Sequence, residues 1–155
     1  MLVRDFIEVP LSLEAAVDGA GDQTVWTRAL EGEIGPEERT LLARFGIDGV
    51  LPHFGKTVEV RVGNPHRHPR GTIIDVQWQA ADGSGWFPVM QADVTLSALG
   101  PCWTHIEFNG SYMPPGGLPG RVADRLVLHR VAEHVVRLVL TRLADTLTVV
   151  GGSAR

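Results

Sequence analysis

The sequence predicts an α+β fold in which an antiparallel sheet is covered by one long C-terminal helix. Two observations carry this. The middle of the chain runs four times through a period of two, each run with one apolar and one polar side. Residues 118–147 then change to helical spacing, with an apolar stripe that needs a partner surface. The breaks between the alternating runs are short and rich in Gly, Pro, Asn and Asp, as in a meander.

The elements follow in chain order. Residues Leu2 to Val9 read as an opening strand. Ser12 is placed to cap a short helix over Leu13 to Val17, with Glu14 and Asp18 on its wet side. Thr24 to Leu30 fit helix or strand equally. Pro36 followed by Glu37 and Glu38 suits the first turn of another helix, and Gly46 suits its end. The alternating runs come next. Val58, Val60 and Val62 form the first apolar face, and Ile74, Val76 and Trp78 the second. Met90, Ala92, Val94 and Leu96 form the third; Thr104, Ile106, Phe108 and Tyr112 form the fourth. In the closing helix Leu128, Ala132, Val135, Val139 and Leu143 make the stripe, with Arg130, Glu133, Arg137, Thr141 and Asp145 toward the opposite side. Thirty residues at 1.5 Å each give about 45 Å, enough to cross a small domain. Gly151-Gly152 is expected to lie beyond the helix end, so residues 1–150 read as one domain and 151–155 as a flexible tail.

Composition narrows the functional classes. The chain has 155 residues, a net charge of −4 and 44% hydrophobic residues, a globular balance. With a pI near 5.8 there is no global attraction to nucleic acid, and no Lys/Arg run supplies a local one. The single cysteine, Cys102, excludes an internal disulfide and the common multi-cysteine zinc sites. No apolar stretch reaches the ~20 residues of a membrane helix, and Met1 to Asp5 lack a signal-peptide core. A cytoplasmic location is the expectation. No cofactor is expected.

The segment Gly110-Ser111-Tyr112-Met113-Pro114-Pro115-Gly116-Gly117-Leu118-Pro119-Gly120-Arg121-Val122-Ala123-Asp124 resembles a junction found in the START/Bet v 1-like superfamily, also labelled SRPBCC or polyketide cyclase/dehydrase-like. Arg125 to Ala132 is similar to the start of that superfamily's long helix, and the Trp78 strand leading to Phe87-Pro88 is similar as well. The resemblance covers roughly residues 71–147. It implies a helix-grip fold, a curved antiparallel sheet wrapped around the C-terminal helix, with an apolar cavity between them. The partner it implies is a small apolar molecule, lipid- or polyketide-like. Trp78, Met90, Ile106, Phe108, Tyr112, Arg125, Leu128, His129 and Ala132 are the candidate ligand-binding residues. The same aromatic residues can instead fill the space.

Several other residues have plainer roles. Cys102 and His105 are an odd number of strand positions apart and so cannot pair across one face; Cys102 reads as a small core residue. His66 and His68 sit in a proline-bracketed turn with no third ligand, which favours a wet loop over a metal site. His129, Glu133 and His134 miss the zinc-protease motifs; His129 and Glu133 read as an i,i+4 surface pair. Asp124 favours a structural role at the positive helix end. Trp86 and Trp103 fall outside the inward registers. Two further functions stay open: an aromatase/cyclase-type enzyme using Arg125, His129 or Tyr112, which only the resemblance raises, and a protein-interaction module with a filled core.

Overall fold

The computed structural model describes residues 1–35, 37, 39–45, 56–82, 89–113 and 125–152; the side chains of Phe45, Lys56 and residues 125–128 lie outside that description. Among the described residues, eight strands form one antiparallel sheet. They are β1 (Leu2–Val9), β2 (Glu33–Ile34), β3 (Thr40–Phe45), β4 (Lys56–Val62), β5 (His66–His68), β6 (Gly71–Ala80), β7 (Val89–Gly100) and β8 (Trp103–Met113). The helices are α1 (Leu13–Gly21), α2 (Gln23–Ala29) and α3 (Arg125–Gly152). The strand order is β1-β8-β7-β6-β4-β3-β2, with β5 paired to β6 off that path.

The four alternating runs are β4, β6, β7 and β8, and their apolar registers are buried as the period of two requires. β1 pairs with β8 along its whole length, from Leu2 opposite Ser111 to Val9 opposite Thr104. The sheet's inner side is thus a continuous apolar surface. α3 lies most closely along β1 and less closely on β8. Its stripe of Val131, Ala132, Val135, Val136, Val139, Leu140 and Leu143 is buried.

The capping chemistry of the short helices is local. Ser12 Oγ accepts from the Ala15 N–H at 3.3 Å, and Asp22 Oδ1 accepts from the Thr24 N–H at 2.8 Å. The second cap opens α2, so residues 24–29 are helix and Leu30 is its C-cap. Trp26, fully buried, donates its Nε1–H to the Ala20 carbonyl at 2.7 Å and so ties α2 to α1.

Three expectations are corrected. Residues 40–45 are strand, not helix: Leu41 and Ala43 are buried in alternation and pair with Val60 and Val58. Arg39, at φ 57°, turns the chain into β3, and its guanidinium donates to the carbonyls of Val62, Gly21 and Gly63. Tertiary pairing outweighed the helix-start signal of Pro36-Glu37-Glu38, of which residues 36 and 38 are not described. α3 continues through Gly151 and Gly152, where Gly151 backs onto Leu11; a Cβ there would stand 2.8 Å from Leu11 Cδ2. Cys102 is exposed in the β7–β8 turn rather than buried in the core, because the turn falls between the two inward registers.

Candidate functional site

Three rows of side chains cross the inner face of the sheet. At one end Val60, Trp78, Met90 and Tyr112 stand opposite one another on β4, β6, β7 and β8. Val62, Val76, Ala92 and Gly110 form the next row, followed by Ile74, Val94 and Phe108. Ile106 lies one row further, opposite Leu96. All these side chains are buried. The Trp78 and Phe108 rings meet at 5.8 Å between centroids with a 31° tilt. A fully buried side chain of this kind contributes about 1.5–3 kcal/mol by leaving water.

The middle row is shallow by composition. A Cβ at Gly110 would lie 2.7 Å from Phe108 Cε1 and 2.8 Å from Met90 Sδ. The absent side chain is what lets the ring and the thioether lean together over β8.

Tyr112 is the polar member of this surface. It is buried, and its hydroxyl lies 3.2 Å from His129 Nδ1 on α3 and 3.1 Å from Met1 Sδ. The Tyr112 and His129 rings are near-parallel at 6.3 Å. His129 Nε2 in turn lies 3.3 Å from Glu133 Oε1, one helical turn along α3. Carboxylate, imidazole and phenol therefore form a chain from solvent to the buried side of the sheet. Burial pushes the Tyr112 phenol up from its ordinary value, and the charge of Glu133 adds to this. The phenol accordingly stays protonated at neutral pH and acts through its hydrogen bonds.

The structure brings together Trp78, Met90, Ile106, Phe108 and Tyr112 on the sheet. Ala132 is buried on α3, and His129 stands half-buried at the edge of the stripe. Arg125 and Leu128 belong to α3, but their side chains are not described. Asp124, Trp86 and residues 114–123 lie outside the described residues. The i,i+4 pairing of His129 with Glu133 was legible in the sequence; its link to Tyr112 was not. That link joins a strand to a helix across 17 positions, and no local spacing signals it. Met1 was missed for the same reason.

The remaining candidates stand elsewhere. His66 and His68 are exposed on β5, with His66 Nδ1 3.8 Å from Asp75 Oδ2. Trp103 is half-exposed on the outer face, where Phe6 stacks on His105 at 5.1 Å. A hollow of about 660 Å³ lies on that polar outer side, lined by Arg4, Asp75, Gln77, Gln91, Asp93 and Asn109 among others. Its lining is mixed, with Leu2, Val3 and Ala92 beside the polar groups, and it does not include Tyr112.

No protein-family model and no curated protein matches the chain. Solved structures do match at the level of fold. A START superfamily protein from Mycobacterium smegmatis superposes with a TM-score of 0.63 at 15% identity, covering 99% of each chain. The Zhui aromatase/cyclase from Streptomyces sp. R1128 gives a TM-score of 0.62 at 12% identity, over 95% of this chain and 93% of the other. A conserved protein from Geobacillus kaustophilus gives 0.63 at 14%, over 95% of both. The chain has the START/Bet v 1-like helix-grip fold, as its Tyr112 junction and long C-terminal helix led one to expect.

Proposed function

We propose that the protein binds a small hydrophobic molecule, lipid- or polyketide-like, between the sheet and α3. The observation that carries this reading is the placement of α3. Among the described residues it approaches β1 most closely and the middle strands β6 and β7 much less. The apolar side chains of those middle strands, Trp78 and Met90 foremost, are therefore the layer against which a ligand would lie. Such a layer, with one convergent polar group at Tyr112, is the usual composition of a small-molecule site. The helix-grip fold shared with a START superfamily protein is compatible with it.

The test is native mass spectrometry of protein purified gently from its own host, followed by solvent extraction. A reproducible small-molecule adduct of apolar character is expected. A uniform apo mass, together with no saturable uptake of added apolar probes, contradicts the reading.

A second reading is conversion of such a molecule, and the Glu133–His129–Tyr112 chain favours it. A carboxylate-held imidazole beside a phenol is a proton-transfer arrangement, able to act on an oxygenated substrate. Likeness in fold to an aromatase/cyclase adds plausibility of architecture but assigns no reaction. Turnover that survives loss of both Tyr112 and His129 would remove this assignment.

A further inference from the structure

We infer that Glu133 fixes the tautomer of His129, and that the resulting Tyr112 acceptor selects a ligand carrying a hydroxyl over its ether counterpart. The inference rests on the ligand-binding reading above and adds the polarity of the ligand's oxygen to it.

A neutral imidazole has one N–H, and an ionised carboxylate can only accept. Glu133 Oε1 lies 3.3 Å from Nε2 and can only accept, which favours the tautomer with its proton on Nε2. Nδ1 is then a bare acceptor, and at 3.2 Å from Tyr112 Oη it takes the phenol's only proton. The Met1 thioether, 3.1 Å from the same oxygen, is a weaker acceptor and competes for that proton without supplying one. Tyr112 therefore has no donor left, and its oxygen keeps only acceptor capacity. A ligand hydroxyl placed beside it finds a partner. A ligand ether or carbonyl oxygen meets a second acceptor in a buried setting, which is unfavourable. Burial and the Glu133 charge both oppose ionisation of the phenol, so it remains available as the donor to Nδ1. In this scheme Glu133 is a positioning residue, acting on the ligand through His129 and Tyr112.

Two probes that differ by one O-methyl group read the selectivity: 2-naphthol and 2-methoxynaphthalene, titrated calorimetrically into the full chain at about pH 8, where an ordinary imidazole is neutral. The parent protein is expected to bind 2-naphthol roughly three- to tenfold more tightly, the range of one neutral hydrogen bond. Tyr112→Phe should lower the ratio by about that factor, leaving only the preference set by the ether's extra methyl group. Glu133→Ala should lower it, since the tautomers are then free to interchange. The ¹⁵N shifts of His129 give a readout that a structural role would not move: an unprotonated Nδ1 and a protonated Nε2 in the parent, averaging toward each other in Glu133→Ala. This measurement needs neither ligand nor the Tyr112 variant. A protonated Nδ1 in the parent overturns the inference. Equal binding of both probes overturns it while leaving the ligand-binding reading standing. If neither probe binds, the ligand-binding reading itself fails and the selectivity falls with it.

Discussion

Gly110 and Glu107, three positions apart on β8, show how closely single positions are fixed on the two faces of the sheet. On the inner face, Gly110→Ala would push a methyl group against Phe108 and Met90, at 2.7 and 2.8 Å. Both neighbours are buried, so the shift they must make is within the packed core. The substitution should cost about 1–3 kcal/mol, the usual range for overpacking, read as a lower urea midpoint with an unchanged slope. On the outer face, Arg4 grips Glu107, with Nε at 2.6 Å from Oε1. Partial burial pushes that carboxyl up, but the hydrogen bonds from Arg4 and Asn109 and the charges of Arg4 and His105 outweigh it, leaving a net lowered value. The sign follows from the direction. Glu107 contributes stability fully above the ordinary carboxyl range, and the contribution is lost as pH falls through that range toward the lowered folded value. Arg4 is 70% exposed, so the effect is modest. Arg4→Gln should lower stability at pH 7 and have little effect at about pH 3, measured by paired denaturation curves.

At the scale of elements, β1 is an edge strand with a visible guard. Met1 and Tyr112 exchange both backbone hydrogen bonds, so in antiparallel alternation the odd residues of β1 bond to β8 and the even ones face the free edge. The Phe6 N–H on that edge is taken by Asp5 Oδ1 at 2.8 Å, and the same carboxylate is held by Arg137 of α3 at 2.8 Å. A charged side chain folded over an edge is a known defence against strand pairing between molecules. Asp5→Ala should raise concentration-dependent self-association relative to the parent, seen by light scattering after gel filtration; identical masses over a wide concentration range would count against the guard.

Legibility followed the length of the pattern. β1, β4, β6, β7, β8 and α3 were readable because each repeats its period over many residues. The 36–46 segment was not, because six residues of strand carry only Leu41 and Ala43 as inward markers, and the Pro-Glu-Glu ahead of them imitates a helix start. The end of α3 was misread because Gly151 tolerates helix where Leu11 leaves no room for a side chain. Of the site, the apolar members were legible from alternation alone. The Glu133–His129–Tyr112 chain was legible only in halves, since its joining contact depends on how α3 lies across the sheet.

For the whole molecule, the division of the sheet into faces organises function. The outer face carries Arg4, Asp75, Gln77, Gln91, Asp93 and Asn109, with Phe6 and Trp103 half-exposed among polar neighbours. The inner face carries the apolar rows and one phenol. No described helix is long and apolar enough to cross a membrane. The fold is one that solved structures of very different sequence share, so any function rests on particular side chains and not on the fold itself. The most direct test of the central proposal is methyl NMR of the labelled protein during titration with 2-methoxynaphthalene, which lacks a hydroxyl and so tests the apolar layer by itself. Saturable shifts at the Met90 and Ile106 methyls, with Ile34 on the exposed β2 unmoved, are the result the account predicts. Shifts confined to outer-face residues, or none at probe saturation, would contradict it.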